Sequence, residues 1–355
     1  MKNPFKKLMI SNDETIIDRC KGAIIGAWLG DAIGAVLEFQ GVPNVSSLRA
    51  AFELRGGGLH HAGPGQTTDD SELTCCLLRG LSNSSNLNLN YIAEQYGNWI
   101  TSRPFDLGGS LRNSLPKAAN LKSHVAEMVR RGAAKNQDSQ SNGCLMRISP
   151  LAVWCRNLSP ADIVKAVKEE VSLSHPNVTV QLACCFHVMA IGMLINTRDR
   201  RSSYMRTKEE MEPYMNNEIR EWVGLIEAES IDLPVNKASG WAKIAFVYGF
   251  RSLLAGDRYL EAVEKILSGG GDTDTNACII GSLIASADGL SALPIEKVNR
   301  VLAWSPTLGG IKRPKWLRPS SCISLIDSLI ANSPTQLTII GGKDEYPAKK
   351  KPVKK

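Results

Sequence analysis

Apolar side chains recur at helical spacing through most of the chain. Ile16, Ile17, Cys20, Ile24, Trp28, Ile33, Val36 and Leu37 predict a helix over 15–38. The same period predicts helices over 91–100, from Pro160 after an N-cap at Ser159, over 176–195, and over 208–229, 240–255, 258–267, 275–287, 294–303 and 321–331. Strand-like alternation is rare, and 335–340 is its one weak candidate. No repeat and no Pro- or Ser-rich linker divides the chain, so the pattern predicts an all-α fold in one large domain over 15–335. Residues 1–14 read as an extension and 336–355 as a basic, disordered tail. Within the first helix, Gly22, Gly26, Gly30 and Gly34 recur every four residues. Each costs a helix interior roughly 1 kcal/mol against Ala, so another backbone must pack closely on that stripe.

Composition narrows the class. At 43% hydrophobic and 22% charged residues, the chain is neither largely disordered nor fibrous. Uncharged apolar runs such as 22–30 fall short of the roughly 20 residues that cross a bilayer, and the N-terminus lacks a secretory apolar stretch. No membrane association and a cytoplasmic location are expected. The net charge of +7 is uneven: residues 1–10 carry +3, residues 341–355 carry +4, and the body between sums to zero. A neutral body argues against a nucleic-acid-binding face. The nine cysteines include no C-x-x-C and read as reduced core thiols.

Candidate chemistry sits where two helices begin. Gly65-Gln66-Thr67-Thr68-Asp69-Asp70 leads into Leu73, Cys76, Leu77 and Leu81, and Gly270-Gly271-Asp272-Thr273-Asp274-Thr275 leads into Ala277, Ile280 and Leu283. One Asp at a helix start is explained by capping and the helix dipole. Two in one turn repel each other and need neutralising. Thr68, Asp69, Asp70, Asp272, Asp274 and Thr275 together offer six oxygen-bearing side chains, a donor set suited to two hard divalent cations, Mg²⁺ or Mn²⁺. At this point capping and metal binding both stand.

Several blocks in order resemble the ADP-ribosylglycohydrolase family: GAIIGAWLGDAIGAVLEF at 22–39, GQTTDDSELT at 65–74, PFDLGG at 104–109, SNGCLMRISPLA at 141–152, SLSHPN at 172–177 and GGDTDTNACIIGSLIASADGL at 270–290. The resemblance implies an orthogonal all-α bundle with a two-metal centre on the six residues above. It also implies cleavage of the bond between ADP-ribose and a protein side chain, with an ADP-ribosylated protein as substrate and a cognate ADP-ribosyltransferase, regulatory or toxin-related, as a possible counterpart. Glu38, in the G-A-x-x-E pattern ending the first helix, is the implied acid/base group, with Asp70 and loop residue Asp138 as further catalytic carboxylates. Implied substrate contacts are Asp106 and Gly108 in the PFDLGG loop, Asn142, Gly143, Met146 and Arg147, then His175, and Trp241 where relatives often carry Tyr. Arg147 can equally be a buried ion-pair partner, Trp241 a core residue, and Asp31 a packing hub. G-A-x-x-E with T-D-D favours arginine-linked ADP-ribose. The alternatives are a serine- or polymer-directed hydrolase and a silent member that binds ADP-ribose or occludes a transferase.

Overall fold

The computed structural model describes residues 14–343; residues 1–13 of the expected extension and 344–355 of the expected tail lie outside them. Among the described residues there are sixteen α-helices and one two-stranded sheet, an all-α architecture. The first eight helices are α1 (Glu14–Gly34), α2 (Val45–Phe52), α3 (Asp69–Ser82), α4 (Leu89–Thr101), α5 (Gly109–Ser114), α6 (Val125–Ala133), α7 (Ser149–Cys155) and α8 (Pro160–Val171). The second eight are α9 (Val178–Thr197), α10 (Arg200–Met211), α11 (Asn217–Glu227), α12 (Ala242–Ala255), α13 (Tyr259–Leu267), α14 (Thr273–Asp288), α15 (Ile295–Ala303) and α16 (Ile323–Ala331).

The glycine stripe decides how the centre is assembled. A Cβ on Gly22 would stand 2.4 Å from the Ala285 carbonyl oxygen, on Gly30 2.2 Å from that of Ala277, and on Gly34 2.4 Å from the Asp274 Cα. Gly281 returns the contact: its Cβ would lie 2.6 Å from the Gly26 oxygen. The partner demanded by the stripe is therefore α14, the helix that carries Asp274 and Thr275. Tyr259 of α13 donates its hydroxyl to the Gly26 carbonyl at 2.6 Å and locks the crossing. Helix α1 is buried on all sides from Cys20 onward apart from Lys21, as expected of a helix apolar all round.

Helix α9 is the second central rod and corrects one expectation. Its 20 residues carry no Asp, Glu, Lys or Arg, so by length and composition it could cross a membrane. In this fold 94% of its most apolar window is buried against the rest of the bundle. Phe186 on α9 meets Phe246 and Phe250 of α12 edge-on at 5.4 and 5.1 Å. All nine cysteines are free and buried.

Boundaries differ from the periodic reading in three places. The helix expected over 208–229 is two, because Pro213 cannot continue α10 and Asn216 caps α11 by accepting from the Ile219 N–H. The first helix stops at Gly34, and residues 35–39 form turns, so Glu38 stands beyond the helix rather than at its end. Past 335 the chain stays attached. β2 (Ile339–Ile340) pairs in parallel with β1 (Leu87–Asn88), and the Gly341 carbonyl accepts from Arg130 at 2.9 Å.

Candidate metal centre

Three segments distant in sequence bring their carboxylates together. Asp31 comes from α1, Asp69 and Asp70 from the first turn of α3, and Asp272 and Asp274 from the start of α14, with Glu38 on the turn after α1. The turn is held in place because the Phe39 N–H donates to the Gly271 carbonyl at 2.9 Å. Gly271 has φ +81°, and a Cβ there would stand 2.9 Å from the Val235 oxygen, so the loop that presents Asp272 requires glycine. Donor oxygens of Asp31, Asp70 and Asp274 lie within 4.8 Å of one another, as do those of Glu38, Asp272 and Asp274.

Capping does not account for these acids. The Thr68 and Ser71 N–H groups at the start of α3 donate to Asp31, across from α1, at 3.0 and 3.1 Å. Asp31 thus caps α3 in trans, which leaves Asp69 and Asp70 without that duty. At α14, the carboxylate of the N-cap Asp272 takes no backbone N–H of its helix and instead accepts from Asn142 Nδ2 at 2.8 Å. Asp274 accepts the N–H of its neighbour Thr275, at 2.9 Å. The Thr68 hydroxyl lies 3.0 Å from Asp70 Oδ2, and the Thr275 hydroxyl 3.4 Å from the same oxygen.

Burial first, then mutual repulsion, pushes Asp69, Asp70 and Asp274 well above the usual carboxylate range. Asp272 is raised by burial, and Asp31 is raised to about 6, also by burial. Burial and the neighbouring acids Asp106 and Asp272 push Glu38 up to about 8. Among the described residues none of these six carboxylates is ion-paired with Lys or Arg; the one imidazole in contact, His60, meets Glu38 at 3.1 Å. Asp70 Oδ1 and Glu38 Oε2 are buried without a hydrogen-bond partner. Buried acids with orphaned oxygens in an oxygen-rich neighbourhood fit a pair of hard divalent cations.

The remaining sequence-derived residues fall into three groups. Asp106 reaches the centre, within 3.5 Å of His60, and Gly108 is the exposed N-cap of α5. Asn142 holds Asp272, and its own N–H donates to the Gly240 carbonyl at 2.9 Å. Trp241 follows that glycine, half-buried, with its indole N–H on Gln140 at 2.7 Å and its ring edge-on to Trp222. Gly143 faces His175, whose ring would lie 3.4 Å from a Cβ there.

A second group is corrected from substrate contact to support. Arg147 is fully buried and its donors are taken by Tyr96, Glu170, the Gly143 carbonyl and Ser174. His175 is likewise sealed, its Nδ1 2.8 Å from Ser174 Oγ and its Nε2 3.0 Å from Ser141 Oγ. The Met146 side chain is buried, and its carbonyl accepts from Cys278 of α14 at 3.2 Å. These residues position the Ser141–Asn142–Gly143 strip from behind. Asp138 forms the third group by itself: it is exposed and outside the acidic groups.

Two residues of the site were missed by sequence reasoning. Asp31 is the hub it was expected to be, but it also joins Asp70 and Asp274 in one acidic group. Its signal was its place one turn before Gly34, on the helix that packs against α14. His60 had no signal beyond a glycine-rich loop immediately ahead of the T-D-D block.

A family model described as ADP-ribosylglycohydrolase matches residues 12–326. The chain is 27% identical over 297 residues to an Acanthamoeba polyphaga mimivirus protein named provisionally as an ADP-ribosyl glycohydrolase, covering 76% of this chain and 86% of that one. It is 24% identical over 281 residues to the ADP-ribosyl-[dinitrogen reductase] glycohydrolase of Rhodospirillum rubrum, covering 79% and 89%. It is 24% identical over 303 residues to the ADP-ribosylarginine hydrolase Tri1 of Pseudomonas putida (strain GB-1), covering 82% and 76%. In fold it is similar to a solved ADP-ribosylglycohydrolase-related protein complex, with TM-score 0.68 and 20% identity over 90% of this chain and all of that one.

Proposed function

The chain belongs to the ADP-ribosylglycohydrolase family, and from that premise we propose that it is a metal-dependent hydrolase that releases mono-ADP-ribose from arginine side chains of modified proteins. The reading is carried by one observation: among the described residues, buried carboxylates from three segments converge without a Lys or Arg partner. Asp70, Asp272 and Asp274, with Thr68 and Thr275, would hold two divalent cations, Mg²⁺ or Mn²⁺, and Asp69 at the same helix start completes the oxygen set. When bound, such ions polarise sugar hydroxyls and water.

The protein side of the reaction needs a proton carrier and a place for a cationic leaving group. Cleavage breaks the bond from the ribose anomeric carbon to nitrogen; water supplies the new C–OH, and the departing guanidine leaves with a proton. Glu38, whose carboxyl burial and the neighbouring acids raise to about 8 before any ion binds, is the group placed to hand a proton to that nitrogen. The incoming water returns a proton to the carboxylate. Asp106, part-exposed beside Glu38, gives the rim the negative charge that suits a guanidinium. Asn142 fixes the Asp272 carboxylate by its amide, so the Ser141–Asn142–Gly143 strip forms one wall. The arginine linkage is further supported by the relative named for ADP-ribosylarginine. On this reading the protein reverses an ADP-ribosyltransferase.

Mass spectrometry on arginine- and serine-linked ADP-ribosyl proteins tests it. The expected result is Mg²⁺- or Mn²⁺-dependent release from arginine, abolished by chelator. Release from serine alone would reject the linkage, and release indifferent to chelator would reject the metal centre.

A further inference from the structure

Beside the acidic cluster, a different set of donors meets. Glu38 lies after α1, His60 on the loop before α3, and Asp106 on the loop between α4 and α5. His60 Nε2 is 3.1 Å from Glu38 Oε2 and 3.5 Å from Asp106 Oδ2, and the three donor atoms lie within 4.8 Å of one another. The shorter approach is not a hydrogen bond. Glu38 is 3% exposed, and its Oε2 has no aligned donor despite the nearby imidazole nitrogen. Two polar atoms this close without donor–acceptor alignment leave their lone pairs for a third partner.

The spacing identifies that partner. Ligands about 2.0–2.1 Å from a four-coordinate ion stand roughly 3.3–3.4 Å from one another, and the distances of 3.1 and 3.5 Å bracket this edge. We propose that Glu38, His60 and Asp106 form a third cation site that takes a borderline divalent ion such as Zn²⁺, with solvent completing the shell. Imidazole favours Zn²⁺ over Mg²⁺, whereas the adjoining cluster offers oxygen alone. The site is reachable, since His60 and Asp106 are 18% and 25% exposed at their side chains. The Phe105 ring, 5.5 Å from the imidazole and tilted at 55°, walls one side. Glu38 is shared with the Asp272–Asp274 group, so an ion here competes for it and inhibits hydrolysis. The binding site stands on its own geometry; only the inhibition rests on the role of Glu38 proposed above.

The test is zinc chloride titration of the full chain in excess Mg²⁺, with bound metal counted by mass spectrometry and zinc K-edge absorption recorded. The expected result is one zinc with an imidazole nitrogen at about 2.0–2.1 Å, a signature that an all-oxygen neighbour cannot produce. In His60→Gln this signature disappears, bound zinc falls by one equivalent, and zinc inhibition weakens by at least about tenfold. His60→Asn serves as the second variant, and circular dichroism melting shows that each is folded. Equal zinc binding by parent and variants, or oxygen-only neighbours in the parent, would overturn the proposal. An imidazole-bound zinc in a protein that holds no other ion would uphold it while rejecting the two-ion centre.

Discussion

Two regions of this bundle bury charge, and they do so in opposite ways. Around Arg147 the charge is closed on itself. The guanidinium and the Glu170 carboxylate are both fully buried at 3.1 Å, with Tyr96, Ser174 and the Gly143 carbonyl taking the other donors. Glu170 is the leading cause that holds the arginine charged against the cost of burial. The acidic cluster is open: burial raises Asp31, Asp69, Asp70, Asp272, Asp274 and Glu38, repulsion between neighbouring acids adds to it at Asp69, Asp70, Asp274 and Glu38, and among the described residues none of the six meets Lys or Arg. The first region balances its charge as folded, although Glu170 Oε2 has no hydrogen-bond partner, and it supports the wall of the site. The second is complete only with protons or cations, and that is where the chemistry lies.

The sharpest way to break this contrast is to unbalance each region in turn. Arg147→Met strands Glu170 in the core and should cost about 3–5 kcal/mol, read as a lowered denaturant midpoint that is the same with and without Mg²⁺. A penalty that disappeared on adding metal would place Arg147 in the wrong region. Asp70→Asn removes one charge from a repelling set. Its metal-free form should melt no lower than the parent, while ADP-ribose release falls by about 10²–10³-fold, the scale seen when one electrostatic element of an active site is lost. Activity within tenfold of the parent would show that the cluster is not the reaction centre.

Sequence alone gave access to whatever depends on neighbours in the chain. The T-D-D and G-G-D-T-D-T blocks each lie within one helical turn, and the glycine stripe repeats every four residues, so both the acids and the need for a close partner helix could be read. What stayed hidden depends on placement in space. Nothing local says that Asp31 will cap a helix 37 residues away, or that His60 will meet Glu38 and Asp106. Arg147 and His175 misled for the same reason: motif position brought them near the site, while Glu170, Ser174 and Ser141 close them off. Helix α9 passes a membrane test on composition, and only its packing shows which apolar surface covers it.

The stripe itself offers an intermediate test, because it joins the two halves of the open region. A methyl on Gly30 would meet the Ala277 carbonyl at 2.2 Å, backbone against backbone, so α1 and α14 must move apart. Gly30→Ala should destabilise by roughly 1–3 kcal/mol, as overpacking does. Because Asp31 and Asp274 ride on these two helices, Mg²⁺ affinity measured by calorimetry should weaken as well. Lost stability with unchanged affinity would mean that the helix crossing does not set the spacing of the acids.

The smallest effect, a pH gradient, separates the two kinds of burial most directly. A carboxyl raised in the folded state binds more protons there than in the unfolded chain, so stability is lost as pH climbs toward the folded value. Glu38 moves from 4.5 to about 8, and Asp69, Asp70 and Asp274 are raised by the same burial and repulsion. His187 has the opposite sign, since burial lowers it from 6.5 to about 3, but its contribution is already complete above its ordinary value. Between pH 6.5 and 8 the metal-free protein should therefore melt at progressively lower temperature. Mg²⁺ binds the ionised carboxylates, so the rise in melting temperature it produces should be larger at pH 8 than at pH 6.5. A flat or rising metal-free profile across that window would mean that the cluster is already neutralised from within, as the Arg147 region is.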